Sequence, residues 1–150
     1  MLKVIGIGNA LRGDDAIGPL IIEELEKKPN GIPAKLIDAG ADAFTMLEHL
    51  MDKEPLLIID CAKMGMNPGE IRMFDVTEAT IANAAKIVSL HGFGFGDVYK
   101  MAKGMGEVAP CKILGVEPKE IAFDTNLSDE VKNSIPEIVN LINKEAQNYA

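Results

Sequence analysis

Short apolar runs that end in glycine or a carboxylate alternate along this chain with longer stretches of helical periodicity. Met1–Ile7 is an apolar run closed by glycine and predicts a central parallel strand. In Ala16–Lys28, Ile17, Leu20, Ile21 and Leu25 share one helical face. Asp14 or Asp15 stands where an N-cap would, and Pro19 is tolerable in the first turn. Ala34–Asp38 predicts a second strand. Asp42–Lys53 predicts a helix capped by Asp42, with Phe44, Leu47, Leu50 and Met51 inward. Leu56–Cys61 is the most apolar strand. Glu70–Val76 alternates as a strand whose facing stays open, and Lys112–Val116 is another. Helices are predicted over Thr77–Lys86, Asp97–Lys103 and Ser128–Gln147. The last turns Val131, Ile135, Ile138, Val139 and Ile142 inward and kinks at Pro136, which lacks the amide a helix interior needs. Strands alternating with helices define an α/β class with a largely parallel sheet.

Composition narrows the function classes. A chain of 150 residues, 47% of them hydrophobic, fits one domain with a real core, 1–150, with no internal repeat or linker. No apolar run reaches the roughly 20 residues that span a bilayer. The first residues read as a strand and not as a signal peptide, so a soluble, cytoplasmic protein is expected. The net charge of −8 disfavours nucleic acid and anionic membranes as partners. Cys61 and Cys111 lie far apart in apolar runs and read as small buried hydrophobes.

The chemistry sits at strand ends. Gly6-Ile-Gly-Asn-Ala-Leu-Arg-Gly-Asp-Asp15 and Leu56-Leu-Ile-Ile-Asp60 each carry a strand into a carboxylate. His91-Gly-Phe-Gly-Phe-Gly96 sets one of the 2 histidines in a glycine-rich turn. Carboxyl ends of parallel strands share the edge at which open α/β folds bind ligands. Asp15, Asp60 and His91 thus form a candidate site whose two carboxylates and one imidazole suit a divalent transition metal. Asp14 is assigned to capping or solvent. Asp38, in Asp38-Ala-Gly40, ends a strand at the same edge. Three readings stand for it: holding a ligand, orienting a substrate backbone, or capping the helix at Asp42. His49, amid Glu48 and Asp52, reads as part of a solvated helix face.

Two readings compete at these motifs. The strand–Gly-x-Gly–helix pattern is shared with dinucleotide sites, but Leu11 stands where a third small residue belongs, and Asp14 and Asp15 would repel a pyrophosphate. A cysteine peptidase built on Cys61 and His91 would need an exposed, reactive thiol. Neither a Gly-x-Ser-x-Gly elbow nor a His-Glu-x-x-His zinc motif is present.

Gly6-Ile-Gly-Asn-Ala-Leu-Arg-Gly-Asp-Asp-Ala-Ile-Gly18, Asp38-x-Gly40, Asp60, Pro68-Gly-Glu70, His91 and Leu114-Gly-Val-Glu-Pro118, in that order, resemble the nickel–iron hydrogenase maturation proteases. The resemblance spans nearly the whole chain. It implies a single three-layer α/β/α domain with a twisted, mostly parallel sheet. It also implies an endopeptidase that removes the C-terminal extension of a hydrogenase large-subunit precursor after nickel insertion. Asp15, Asp60 and His91 would contact the nickel, with Asp38 among the catalytic candidates. The nickel would be supplied by the precursor, and another divalent metal could stand in for it in crystals. The chain would act as a monomer. Asp60-Cys-Ala-Lys-Met-Gly-Met-Asn-Pro-Gly-Glu70 and the His91 turn look closest to the archaeal branch serving the deazaflavin (F420)-reducing hydrogenase. A nickel-binding assembly chaperone without proteolysis would share the same site.

Overall fold

The sheet is mixed but mostly parallel, and helices cover both of its faces. The structure, a computed structural model, describes residues 1–29, 31–40, 45–77, 88–89 and 95–150. Strands β1 (Leu2–Ile7), β2 (Ala34–Gly40), β3 (Leu56–Lys63), β4 (Ile71–Asp75), β5 (Val88–Ser89) and β6 (Cys111–Val116) alternate with α1 (Ile17–Glu26), α2 (Thr45–Met51), α3 (Phe95–Met105), α4 (Asp129–Lys132) and α5 (Ile135–Gln147). The strand order is β2-β1-β3-β6-β4. All neighbours in it are parallel except β4, which runs antiparallel to β6 at one edge, and the short β5 pairs antiparallel with the end of β3.

Two apolar clusters follow from the period-2 alternation of the strands. Val4, Leu57, Ile59, Cys61, Leu114 and Val116 pack with Ile17, Ile21 and Leu25 of α1 and Ile138 and Ile142 of α5. Ile5, Ile7, Leu56 and Ile58 pack with Met46 and Leu50 of α2 and Val98 and Ala102 of α3. The middle strands are buried on both faces, which is why they read as unbroken apolar runs.

Several boundaries differ from the sequence reading, each for a local reason. α1 starts later than expected, because Gly13–Ala16 forms a separate 3₁₀ turn; its N-cap is Ala16, with no side-chain cap. Asp14 and Asp15 therefore cap nothing on α1. Strand β3 runs on to Lys63, since it keeps pairing with β6 and β5 after leaving β1, so Asp60 lies inside the strand and not at its end. The closing helix is not one kinked helix but two. Ser128 caps α4, its Oγ accepting from the Val131 amide, and Pro136 sits in the first turn of α5, where its missing amide costs no helix bond. The expected cap Asp42, the inward Phe44 and nearly all of the predicted Thr77–Lys86 helix lie outside the described residues.

Candidate active site

Close backbone packing places Asp15. A Cβ on Gly6 would fall 2.4 Å from the Gly18 carbonyl oxygen, and one on Gly18 would fall 2.3 Å from that of Ile7. β1 and the start of α1 thus touch through their backbones, which brings the 3₁₀ turn against β3. Gly8 (φ 153°) lets the chain turn here, with its Cα facing the Asp15 carbonyl oxygen, which an added Cβ would meet at 2.0 Å. Asp15 is fully buried, and its Oδ2 accepts from the Asn9 amide at 3.0 Å. The glycine turn therefore spends an amide on an internal carboxylate, whereas a dinucleotide site keeps such amides for phosphate.

Asp60 is 7% exposed. Pairing between β1 and β3 stops at Gly6–Ile59, one residue before it, while Asp60 still pairs with Gly115 of β6. It therefore sits where β1 and β3 part. Alternation puts its side chain on the face of Leu56 and Ile58, and Cys61 on the opposite face among the α1 and α5 side chains. Burial, followed by the fields of Asp60, Asp15, Asp14 and Glu117, pushes the Cys61 thiol far up. Carboxylates from three segments, Asp60, the adjacent pair Asp14 and Asp15, and Glu117, thus lie within electrostatic reach of Cys61. Burial pushes Cys111 up to about 12. Neither thiol is a thiolate at neutral pH, which removes the cysteine-peptidase alternative.

Asp38 is exposed on β2. Its Oδ1 accepts from the Gly40 amide at 3.0 Å, and the Gly40 carbonyl in turn accepts from Gly8 N–H at 2.8 Å. The Asp38 turn is therefore joined to the loop that carries Asp15. His91 lies outside the described residues. His49 is not the solvated group the sequence suggested. It is half-buried at the other end of β1, with Nδ1 3.3 Å from Nζ of the buried Lys3, which also pairs with Asp52. Burial first, and then the Lys3 charge, hold its pKa below the usual value.

Two buried carboxylates close to these elements, Asp14 and Glu117, were not singled out as site candidates from sequence. Asp14, placed there in capping or solvent, is fully buried. Its Oδ2 accepts from the amides of Lys119 (2.7 Å) and Glu120 (3.0 Å) and from the Ser128 hydroxyl (2.8 Å), while Oδ1 accepts from the Ser128 amide (2.6 Å). Glu117 is 6% exposed, and its Oε1 accepts from the amides of Met64 (2.7 Å) and Met66 (3.0 Å). The signal for Glu117 was available: it follows the apolar strand Leu114-Gly-Val116 much as Asp60 follows its own run.

Comparison with known proteins decides the family. The family model for hydrogenase maturation proteases (HycI) matches residues 19–145. The chain belongs to the hydrogenase maturation protease family. It is 30% identical over 132 residues to the hydrogenase 3 maturation protease of Escherichia coli, covering 86% of this chain and 80% of that protein. A Methanocaldococcus jannaschii protein that carries the hydrogenase maturation protease name provisionally is 35% identical over 150 residues, covering 94% of this chain and 85% of the other. The fold matches that of the hydrogenase maturating endopeptidase HybD from E. coli with a TM-score of 0.84 at 24% identity, over 99% of this chain and 93% of that one. Other curated relatives are longer: the chain spans 65%, 64% and 61% of three bacterial hydrogenase expression/formation proteins, HoxM of Azotobacter vinelandii, HupM of Azotobacter chroococcum and HoxM of Cupriavidus necator. No described helix is long and apolar enough to cross a membrane.

Proposed function

We propose that this chain is an endopeptidase that removes the C-terminal extension of a nickel–iron hydrogenase large-subunit precursor once nickel has been inserted. What supports the proposal is the family match together with two buried carboxylates, Asp15 in the turn after β1 and Asp60 where β1 and β3 part, whose fields both reach Cys61. In this reading their carboxylate oxygens and the imidazole of His91, which lies outside the described residues, would supply a donor set of the kind a divalent transition metal accepts. The nickel belongs to the substrate and arrives with it. When present, it supplies Lewis acidity beside the scissile peptide.

The work left to this chain is positional. Asp15 and Asp60 present carboxylates that the fold has already taken out of water, so little reorganisation is needed when the precursor docks. Asp38, exposed on the neighbouring strand, orients the substrate backbone. Leu11 and Phe123, 66% and 64% exposed, lie on two neighbouring segments. They are joined by the Asp124 amide donating to the Leu11 carbonyl, with Arg12 stacked 5.3 Å over the Phe123 ring. Exposed apolar side chains on a pinned turn suit a polypeptide substrate better than a small polar one. We assign the whole chain to one maturation-protease domain acting as a cytoplasmic monomer. Within the family, the stretch Asp60–Glu70 supports the archaeal branch serving the F420-reducing hydrogenase.

Incubation with a nickel-loaded large-subunit precursor, followed by mass spectrometry, tests the activity. Loss of the C-terminal segment is expected. A stable complex with an intact precursor would replace the protease by a nickel-binding assembly chaperone.

A further inference from the structure

The β1–β3 ladder ends at Gly6–Ile59, so sheet hydrogen bonds alone do not fix Asp15, which lies beyond the end of β1, relative to Asp60. A second tie exists. Asp14, adjacent to Asp15, holds the amides of Lys119 and Glu120. The Asp14 amide in turn donates to the Glu120 carbonyl at 2.8 Å. Two residues before Lys119, beyond the stiff Pro118, Glu117 holds the amides of Met64 and Met66, in the chain that leaves β3 after Lys63, a few residues beyond Asp60. The Glu117 backbone is itself pinned, since its amide donates to the Glu70 carbonyl (2.9 Å) and its carbonyl accepts from Gly69 (2.8 Å). We infer that Asp14 and Glu117 are positioning residues: through the segment Glu117–Glu120 these two buried carboxylates form one hydrogen-bonded bridge that sets the spacing between Asp15 and Asp60.

The chemistry at the two ends of the bridge differs, and the difference is testable. At Asp14 both carboxylate oxygens face donors. An asparagine there must turn its NH₂ toward an amide or hydroxyl that also donates, whichever way it flips. At Glu117 a single oxygen takes both amides, so a glutamine retains the acceptor that matters. Asp14→Asn should therefore break the bridge, Glu117→Ala should break it, and Glu117→Gln should leave it whole. A merely local structural role predicts no communication between the two ends.

The role rests on the proposed function only for its effect on cleavage, so the test has two arms. In the first, amide hydrogen exchange is followed in the full chain. Asp14→Asn is expected to raise exchange at Met64 and Met66 about 10-fold, and Glu117→Ala to raise it by a similar factor at Asn9, Arg12 and Asp15, with Glu117→Gln unchanged. In the second, cleavage of nickel-loaded precursor by Asp14→Asn and Glu117→Ala should show kcat lowered roughly 10- to 100-fold with KM little changed, and Glu117→Gln should rescue it. If each variant loosens only its own end, the bridge is refuted, whatever the cleavage arm gives. If wild-type chain fails to cleave the precursor, the functional reading falls while the exchange arm still decides the bridge. Should Asp14→Asn not fold, Ser128→Ala, which removes one donor from Asp14 Oδ2, serves the first arm with a smaller expected rise.

Discussion

One methyl group at position 8 should both destabilise the chain and displace its candidate site. In Gly8→Ala the new Cβ would lie 2.0 Å from the Asp15 carbonyl oxygen and 3.3 Å from Pro19 Cδ. A carbon meets such an oxygen comfortably at about 3.3 Å, so one backbone must retreat by roughly 1.3 Å. Neither is free to do so. Gly8 donates to Gly40 (2.8 Å), Asp15 donates to Arg12 (3.0 Å), and Asp14 donates to Glu120 (2.8 Å). The φ of 153° adds strain for any residue with a Cβ. Overpacking and backbone strain together should cost about 2 to 4 kcal/mol, which for a chain of this size is a fall of roughly 4 to 16 °C in Tm. A shift of about 1 Å in Asp15 should also slow precursor processing on the order of 100-fold. Urea unfolding followed by circular dichroism reads the first effect and mass-spectrometric cleavage the second. Gly31→Ala is the control: its φ is 63°, but nothing lies within 4 Å of the added Cβ. It should cost about 1 to 2 kcal/mol and leave processing intact. A Gly8→Ala protein with wild-type stability and wild-type processing would refute the packing argument outright.

Asp15→Asn and Asp60→Asn, which keep shape and remove charge, should each slow processing 10- to 100-fold in the same cleavage assay; a wild-type rate in either removes that residue from the site. Cys61→Ala should process normally, and both thiols should resist iodoacetamide at pH 8 until the chain is unfolded, because burial holds them protonated. His49 has a folded pKa below its unfolded value of 6.5, so the unfolded chain takes up this proton first as pH falls. Its contribution to stability is therefore present above about pH 6.5 and is lost as pH drops from there through the folded pKa. Urea midpoints measured between pH 7.5 and 5 should show a decline that is smaller in His49→Ala, and identical slopes would contradict the sign.

The sheet was legible because its middle strands are buried on both faces, and such strands announce themselves as apolar runs such as Leu56–Ile59. Asp60 stands out because a carboxylate directly after such a run is costly unless it is used or satisfied, and Asp15 because a second carboxylate in that turn exceeds what capping needs; the structure buries both. The identity of the edge partner was not legible. β4 alternates as any half-buried strand does, and nothing in Ile71–Asp75 tells parallel from antiparallel pairing. The division of the last helix at Ser134 was hidden because the apolar positions of α4 and α5 keep one helical phase across the break. Asp14 was misplaced for a different reason. All but one of its partners, the Ser128 hydroxyl, are backbone amides 105 to 114 residues away, and backbone donors leave no mark in a sequence. Gly6 and Gly8 stand in sequence where a strand-to-loop turn needs glycine, yet contact with the backbones of Gly18 and Asp15 is what requires them.

The central claim is that Asp15, Asp60 and His91 meet a precursor that already carries nickel. Cleavage of nickel-loaded and nickel-free large-subunit precursor by the wild-type chain, compared under the same conditions by intact-mass spectrometry, tests it most directly. Loss of the C-terminal segment from the nickel-loaded precursor alone is the predicted result. Equal cleavage of both forms would contradict it.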